Sequence, residues 1–291
     1  MIKKLHLTCK DKHNITNNVW LSCIQKYKQL YNDYEIIIYD NNDIYNIIQK
    51  HYPEHLEQVK RIEIGAILAD IFRYLILYLE GGVYSDMDCE PIKRIDDLLD
   101  GKPYYHNDSN NFKIEDKTNK KKSVFIRNFK VINQYDYKEN PCGNCVLVND
   151  NEYKCLGHNY INDKTIVILG YEYDNEFHKD YFNTFVRTYK DVGICQWFMI
   201  SKENKQEIFL KAFMYCVENI DTLLSFKRTD KDYHFNVIST CGPLAFTKVV
   251  LDNIDDSISI LPADFFCSGS ACLVPITNNR YIQHHFTGTW L

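Results

Sequence analysis

The chain has 291 residues, 45% of them hydrophobic and 14% aromatic, enough to bury a full core as one large domain or one domain with an insert. A formal net charge of -5 and a pI near 6.1 exclude the basic field that gathers nucleic acid, so no nucleic-acid partner is expected. A membrane span needs about 18 uninterrupted apolar residues, and the nearest run, 64–79, is broken by Asp70 and Arg73.

Residues 3–9 alternate apolar and polar side chains and predict a first strand, with no signal-like apolar stretch after it. Residues 16–31 predict a helix with Val19, Trp20, Cys23 and Ile24 among its apolar positions, and 35–39 a second strand. Asp43 is expected to cap a short helix through Gln49, and Pro53 to open another helical turn. This β-α-β opening favours a parallel sheet with helices on its faces.

The strongest helix is predicted over 63–80, where Ile64, Ile67, Leu68, Ile71, Leu75 and Leu79 fall at helical spacing before Gly81-Gly82 stops it. Val83 to Asp86 then reads as a short buried strand that runs into the acidic cluster Asp86, Asp88 and Glu90. Open α/β sheets bind ligands just beyond the carboxyl ends of such strands. Residues 107–122 are polar and predict an exposed loop or hairpin, and 140–160 are rich in cysteine. Strands follow at 165–169 and 258–261, an ordered segment at 194–200, and helices at 204–217 and from Gly242-Pro243 to Leu251, before a closing segment at 281–290. The whole predicts one domain over 1–291 with a Cys-rich insert at about 104–163. The 11 cysteines, an odd number without an export signal, favour reduced thiols and a soluble cytoplasmic protein.

Three constellations carry chemistry. Asp86-x-Asp88 alone is common on protein surfaces, but after an amphipathic helix, a Gly-Gly stop and an apolar strand its carboxylates suit a hard cation bridging to phosphate; a solvated acidic turn is the plainer alternative. Asp70 and Arg73 share one face of an apolar helix, so they are either an internal ion pair or a grip on sugar hydroxyls and phosphate. Cys142, Cys145, Cys155 and His158 have a spacing that suits a structural Zn2+, against packing as small apolar side chains.

The run from Ala69 to Tyr78, followed by Gly81-Gly82-Val83-Tyr84-Ser85-Asp86-Met87-Asp88, resembles the signature block of the family 32 glycosyltransferases, the DXD sugar-binding group. Fungal mannosyltransferases belong to that group, and clostridial glucosylating toxins share its block. Similarity extends to His6-Leu7-Thr8-Cys9, 35–40, 168–172, 194–199, Cys241-Gly242-Pro243 and the closing His284-His285-Phe286-Thr287-Gly288-Thr289-Trp290, while 104–163 has no counterpart.

The resemblance implies an α/β GT-A fold with a mixed, mostly parallel sheet, and retaining transfer from a UDP- or GDP-sugar to a hydroxyl of a glycan, lipid or protein. It implies that Asp86 and Asp88 hold Mn2+ or Mg2+, that Asp70 and Arg73 grip the donor sugar, and that Leu7, Thr8 and Tyr84 lie on the nucleotide side. His285, in preference to His284, would be the third metal ligand, Gln196 a β-face amide, and Trp290 a lid over the diphosphate. The rival from another class is a non-catalytic nucleotide-sugar or glycan-binding module.

Overall fold

The computed structural model describes residues 1–99, 161, 164–173, 193–267, 274, 276 and 278–287; between 112 and 155 it describes strand segments by backbone alone. In chain order the elements are β1 (Lys4–Thr8), α1 (Asn18–Leu30), β2 (Glu35–Tyr39), α2 (Asn41–His51), a 3-10 turn (Pro53–His55), α3 (Leu56–Lys60), α4 (Gly65–Glu80), β3 (Gly82–Ser85), β4 (Cys89–Pro91) and α5 (Asp96–Leu99). The segments β5 (Phe112–Glu115), β6 (Ser123–Arg127), β7 (Lys130–Val131), β8 (Cys145–Asn149) and β9 (Glu152–Cys155) follow. The chain continues through β10 (Val167–Tyr173), β11 (Gly193–Ile194), β12 (Phe198–Ser201), α6 (Glu207–Glu218), α7 (Ile220–Ser225), α8 (Tyr233–Thr240), α9 (Pro243–Asn253), β13 (Ile258–Leu261) and β14 (Ile282–His284).

The central sheet is mixed, with the order β11-β10-β12-β3-β1-β2 and β13 added on β10. β1 runs parallel to both β2 and β3, and β10 parallel to β13. The antiparallel β12 joins these parallel groups by pairing with β3 on one side and β10 on the other. Helices flank the sheet, as the sequence predicts for an α/β chain. The cap of α2 is Asp40 rather than Asp43: Asp40 accepts the amides of Asn42 and Asp43, and the Asp43 carboxylate returns to the Asp40 amide. This reciprocal box needs an accepting side chain at both positions, and Asp43 is its third helical residue.

α4 is the axis of the core. Ile67, Ile71, Leu75 and Leu79 are buried, and so are Phe72, Tyr74, Ile76 and Leu77 on its other sides, which marks a helix enclosed all round. It ends on Gly81 at φ 64°, and Gly82 follows at φ 85°, a region that L side chains avoid. At Gly82 a Cβ would also lie 2.6 Å from the Lys4 carbonyl oxygen. These two glycines turn the chain from α4 directly into β3 beside β1. His6, wholly buried on β1, locks the same corner: its Nε2–H donates to the Gly81 carbonyl at 2.9 Å and its Nδ1 accepts from the Tyr39 hydroxyl at 3.0 Å. Burial lowers the pKa of His6 to about 4 and keeps the ring neutral, although the Gly81 carbonyl opposes this.

Two stability tests follow from this corner. Gly82→Ala combines a left-handed φ with a backbone clash and is expected to destabilise the protein by roughly 1 to 3 kcal/mol in urea unfolding. Because the folded pKa of His6 lies below its unfolded value near 6.5, the unfolded chain alone takes up the proton between pH 6.5 and about 4. Stability is therefore lost as pH falls through that window, and the wild type should lose roughly 3 kcal/mol more than His6→Gln between pH 7 and pH 4.

Candidate active site

The site grows from the carboxyl end of β3. The Asp86 amide donates to the Trp197 carbonyl just before β12, at 2.8 Å, and the Cys89 amide to the Asp86 carbonyl at 3.1 Å, so residues 86–89 form a tight turn into β4. β4 pairs antiparallel with β14, His284 opposite Cys89 and Gln283 opposite Glu90, and the His285 amide donates to the Asp88 carbonyl at 3.0 Å. A strand nearly two hundred residues away in sequence is thereby laid against the acidic turn.

One buried ion network occupies the inner side. Arg73 Nη2 lies 3.0 Å from Asp70 Oδ1 and 3.1 Å from Asp86 Oδ1, so one guanidinium nitrogen serves both acids. Asp70 and Arg73 are almost completely excluded from solvent, and Asp86 keeps a small exposed edge. The Tyr84 hydroxyl donates to Asp86 Oδ1 at 2.9 Å and is itself 2.9 Å from Thr8 Oγ1, while the Tyr84 ring lies 4.9 Å below the Arg73 guanidinium. Burial pushes the Asp70 carboxyl up to about 7, with Arg73 opposing, and raises that of Asp86, where the neighbouring Asp88 adds to the effect. With both acids ionised, their single cation leaves a net negative charge. Asp70 Oδ2 and Arg73 Nη1 are buried with no hydrogen-bond partner among the described residues, and such atoms are costly unless something else satisfies them.

Asp88 faces a second group. His284 Nε2 lies 3.1 Å from its Oδ1, and the Thr287 amide and hydroxyl each donate to its Oδ2 at 2.9 Å. Burial works against the charge, but these partners hold the Asp88 pKa down at about 2. Phe286, at φ 47°, makes the left-handed turn that folds Thr287 back onto the acid. The His284 ring packs against Trp197, 4.7 Å away, and Phe286, 3.8 Å away, in one three-ring cluster. Ligand atoms of Asp88, Cys89 and His284 all lie within 4.8 Å of one another. The Cys89 thiol donates to the Trp197 carbonyl, and burial raises its pKa well above the usual range, so it stays protonated and ligates poorly. A carboxylate with an imidazole fits a divalent cation of the Mn2+ or Mg2+ type.

The sequence-predicted residues divide in this geometry. Asp70, Arg73, Tyr84, Asp86 and Thr8 meet in one network, and Asp88 adjoins it. The histidine on Asp88 is His284, whereas His285 Nε2 turns to Glu90 Oε2 at 2.8 Å. Strand alternation explains the difference: Ile282 is buried in β14, and His284, two residues on, shares its face. Gln196, expected as a β-face amide, has both ends engaged inside the protein, its Nε2 donating to Asp70 Oδ1 at 2.7 Å and its Oε1 accepting from the Tyr74 hydroxyl at 2.5 Å. The Leu7 side chain is fully buried in the core. Trp290 lies outside the described residues, as do Cys142 and His158; Cys145 and Cys155 stand opposite each other in the β8–β9 register. Thr287, which carries no acidic or basic signature, is the contact that sequence reasoning missed.

Parts of the chain are similar to known proteins. Residues 17–105 match the family model described as a glycosyltransferase sugar-binding region containing the DXD motif. The chain thus resembles the DXD-containing glycosyltransferases in the segment that holds α1 through β4 and the acids Asp70, Asp86 and Asp88. Inositol phosphoceramide mannosyltransferase 3 of Schizosaccharomyces pombe is 31% identical over 97 residues, 33% of this chain and 27% of that protein. A mannosyl phosphorylinositol ceramide synthase of Saccharomyces cerevisiae is 34% identical over 80 residues, 28% of this chain and 21% of that protein. The match thus spans only about a quarter of the length of these curated relatives. Among solved structures, PaToxG Glycosyltransferase superposes with a TM-score of 0.42 at 15% identity, over 87% of this chain and 70% of that one. Among the described residues no helix is long and apolar enough to cross a membrane.

The DXD region depends on its shared cation. Arg73→Met leaves Asp70 and Asp86 buried without it and is expected to destabilise the fold by roughly 3 to 5 kcal/mol in urea unfolding. Adding Asp70→Asn should recover part of the loss; no recovery would mean that Arg73 acts through packing alone.

Proposed function

We propose that this protein is a glycosyltransferase of the GT-A type that moves a hexosyl group from a nucleotide-sugar donor to a hydroxyl acceptor with retention of configuration. The observation that carries the reading is the pair of unsatisfied buried atoms, Asp70 Oδ2 and Arg73 Nη1, beside the Asp88–His284 pair at the end of β3. An acceptor and a donor side by side match the hydroxyls of a sugar, each of which can give and take a hydrogen bond. The mannosyltransferase relatives make a mannosyl donor and a lipid-linked acceptor natural first choices.

Asp88 and His284 would hold the divalent cation, with Asp86 alongside. Such a cation neutralises charge on a leaving diphosphate. Arg73 supplies a fixed positive charge beside the same region, and Asp70 orients the donor sugar so that its anomeric carbon faces the acceptor. Tyr84, held by Thr8 and Asp86, provides a rigid wall next to the guanidinium. Retention requires attack from the face the diphosphate leaves or a nucleophile opposite it. Gln196, committed to Tyr74 and Asp70, is better suited to supporting the donor site than to attacking.

A panel of UDP- and GDP-sugars, assayed for sugar release with and without Mn2+, tests the reading. One donor should turn over in a metal-dependent manner, and Asp88→Asn should reduce that turnover by roughly a hundredfold or more with the fold unchanged by circular dichroism. A protein that binds donors tightly without turnover would be the binding module instead; full activity in Asp88→Asn would remove the site.

A further inference from the structure

Tyr74 lies on α4 one residue after Arg73, wholly buried, with its ring stacked on Phe246 of α9 at a centroid distance of 4.8 Å and an interplanar angle of 20°. Its hydroxyl donates at 2.5 Å to Gln196 Oε1, and the other end of the same amide donates at 2.7 Å to Asp70 Oδ1. Tyr74 and Asp70 are one helical turn apart on α4, and Gln196 bridges them from the segment before β12.

An amide is symmetric in shape but not in chemistry. With Oε1 turned toward Asp70, it would meet Oδ1, an oxygen that already accepts from Arg73, and acceptor would face acceptor. Asp70 therefore selects the N–H end, and the Tyr74 hydroxyl, kept protonated by burial, donates to the Oε1 end and holds the amide in that place. Asp70 Oδ1 then takes two donors, Gln196 Nε2 and Arg73 Nη2, and the carboxylate cannot turn without losing both. Oδ2 is left as the acceptor for a ligand.

We infer that Tyr74 is a positioning residue for sugar recognition: it holds the Gln196 amide in place, and the amide in turn fixes the Asp70 carboxyl group so that Oδ2 is presented to the donor sugar. The inference rests on the proposed transferase reading and deepens it at the sugar end of the site. It separates Tyr74 from the diphosphate end, where Asp88 and His284 act.

Tyr74→Phe removes one oxygen and keeps the ring against Phe246. The full chain is assayed with the UDP- or GDP-hexose that the wild type hydrolyses fastest with Mn2+, and its affinity for the matching free nucleoside diphosphate is measured in parallel. Tyr74→Phe is expected to raise KM for the nucleotide sugar roughly tenfold while leaving nucleoside diphosphate affinity within about twofold of wild type. In a Gln196→Leu background the same change should have no further effect, since its route to Asp70 is already cut. An unchanged KM, an equal loss for both ligands, or additive effects of the two substitutions would overturn the inference. Should Tyr74→Phe fail to fold, Gln196→Leu alone must show the same split between sugar nucleotide and nucleotide, and a uniform loss counts against the relay. A wild type with no metal-dependent turnover and no preference for the sugar nucleotide overturns the transferase reading itself, an outcome distinct from a Tyr74→Phe that behaves as wild type.

Discussion

A single guanidinium, that of Arg73, pairs with two acids from different elements inside the protein, Asp70 one turn earlier on α4 and Asp86 at the end of β3. Removing such groups from water is expensive, and the arrangement persists only because the charges meet at about hydrogen-bond length and Gln196, Tyr84 and Thr8 supply further polar contacts. The remaining geometry serves that meeting. The enclosed helix α4 carries Asp70 and Arg73 inward, the left-handed pair Gly81-Gly82 returns the chain at once along β1, and Trp197, just before β12, anchors Asp86 through a backbone bond. The network is incomplete as a set of hydrogen bonds: Asp70 Oδ2 and Arg73 Nη1 have no partner among the described residues.

The second half of the site depends on sheet pairing. β14 has three residues and little hydrophobic content, yet its register against β4 places His284 rather than His285 on Asp88. Aromatic packing from Trp197 and Phe286 holds the imidazole, and the turn at Phe286 brings Thr287 onto the other carboxylate oxygen. The inner network and the outer pair thus meet at one short acidic turn.

Much of the fold was legible because local and global preferences agree. The β-α-β opening, the enclosed helix with its glycine stop and the strands near 165 and 258 all follow from periodicity and turn chemistry. The short partners β4 and β14 were not, since three-residue strands carry almost no periodic signal and are made by pairing partners distant in sequence. Helices α7 and α8 were missed for a similar reason: they are only six and eight residues long, and polar residues interrupt them. At the site, acids and arginine announced themselves by being charged within an apolar run. The part played by Gln196 and Tyr74 could not be read that way, because a glutamine and a tyrosine in apolar surroundings look alike whether they bond each other or a ligand. The choice between adjacent histidines was in principle readable, since the apolar Ile282 two residues earlier fixes which face His284 shares.

The most direct check is on the pairing of Asp88 with His284. Pulsed electron paramagnetic resonance on Mn2+ bound with a nucleoside diphosphate reports whether an imidazole nitrogen coordinates the ion. The expected result is a nitrogen modulation in the wild type that disappears in His284→Asn and survives in His285→Asn. A modulation that survives loss of His284, or that vanishes with His285, would contradict the site as assembled from β4 and β14.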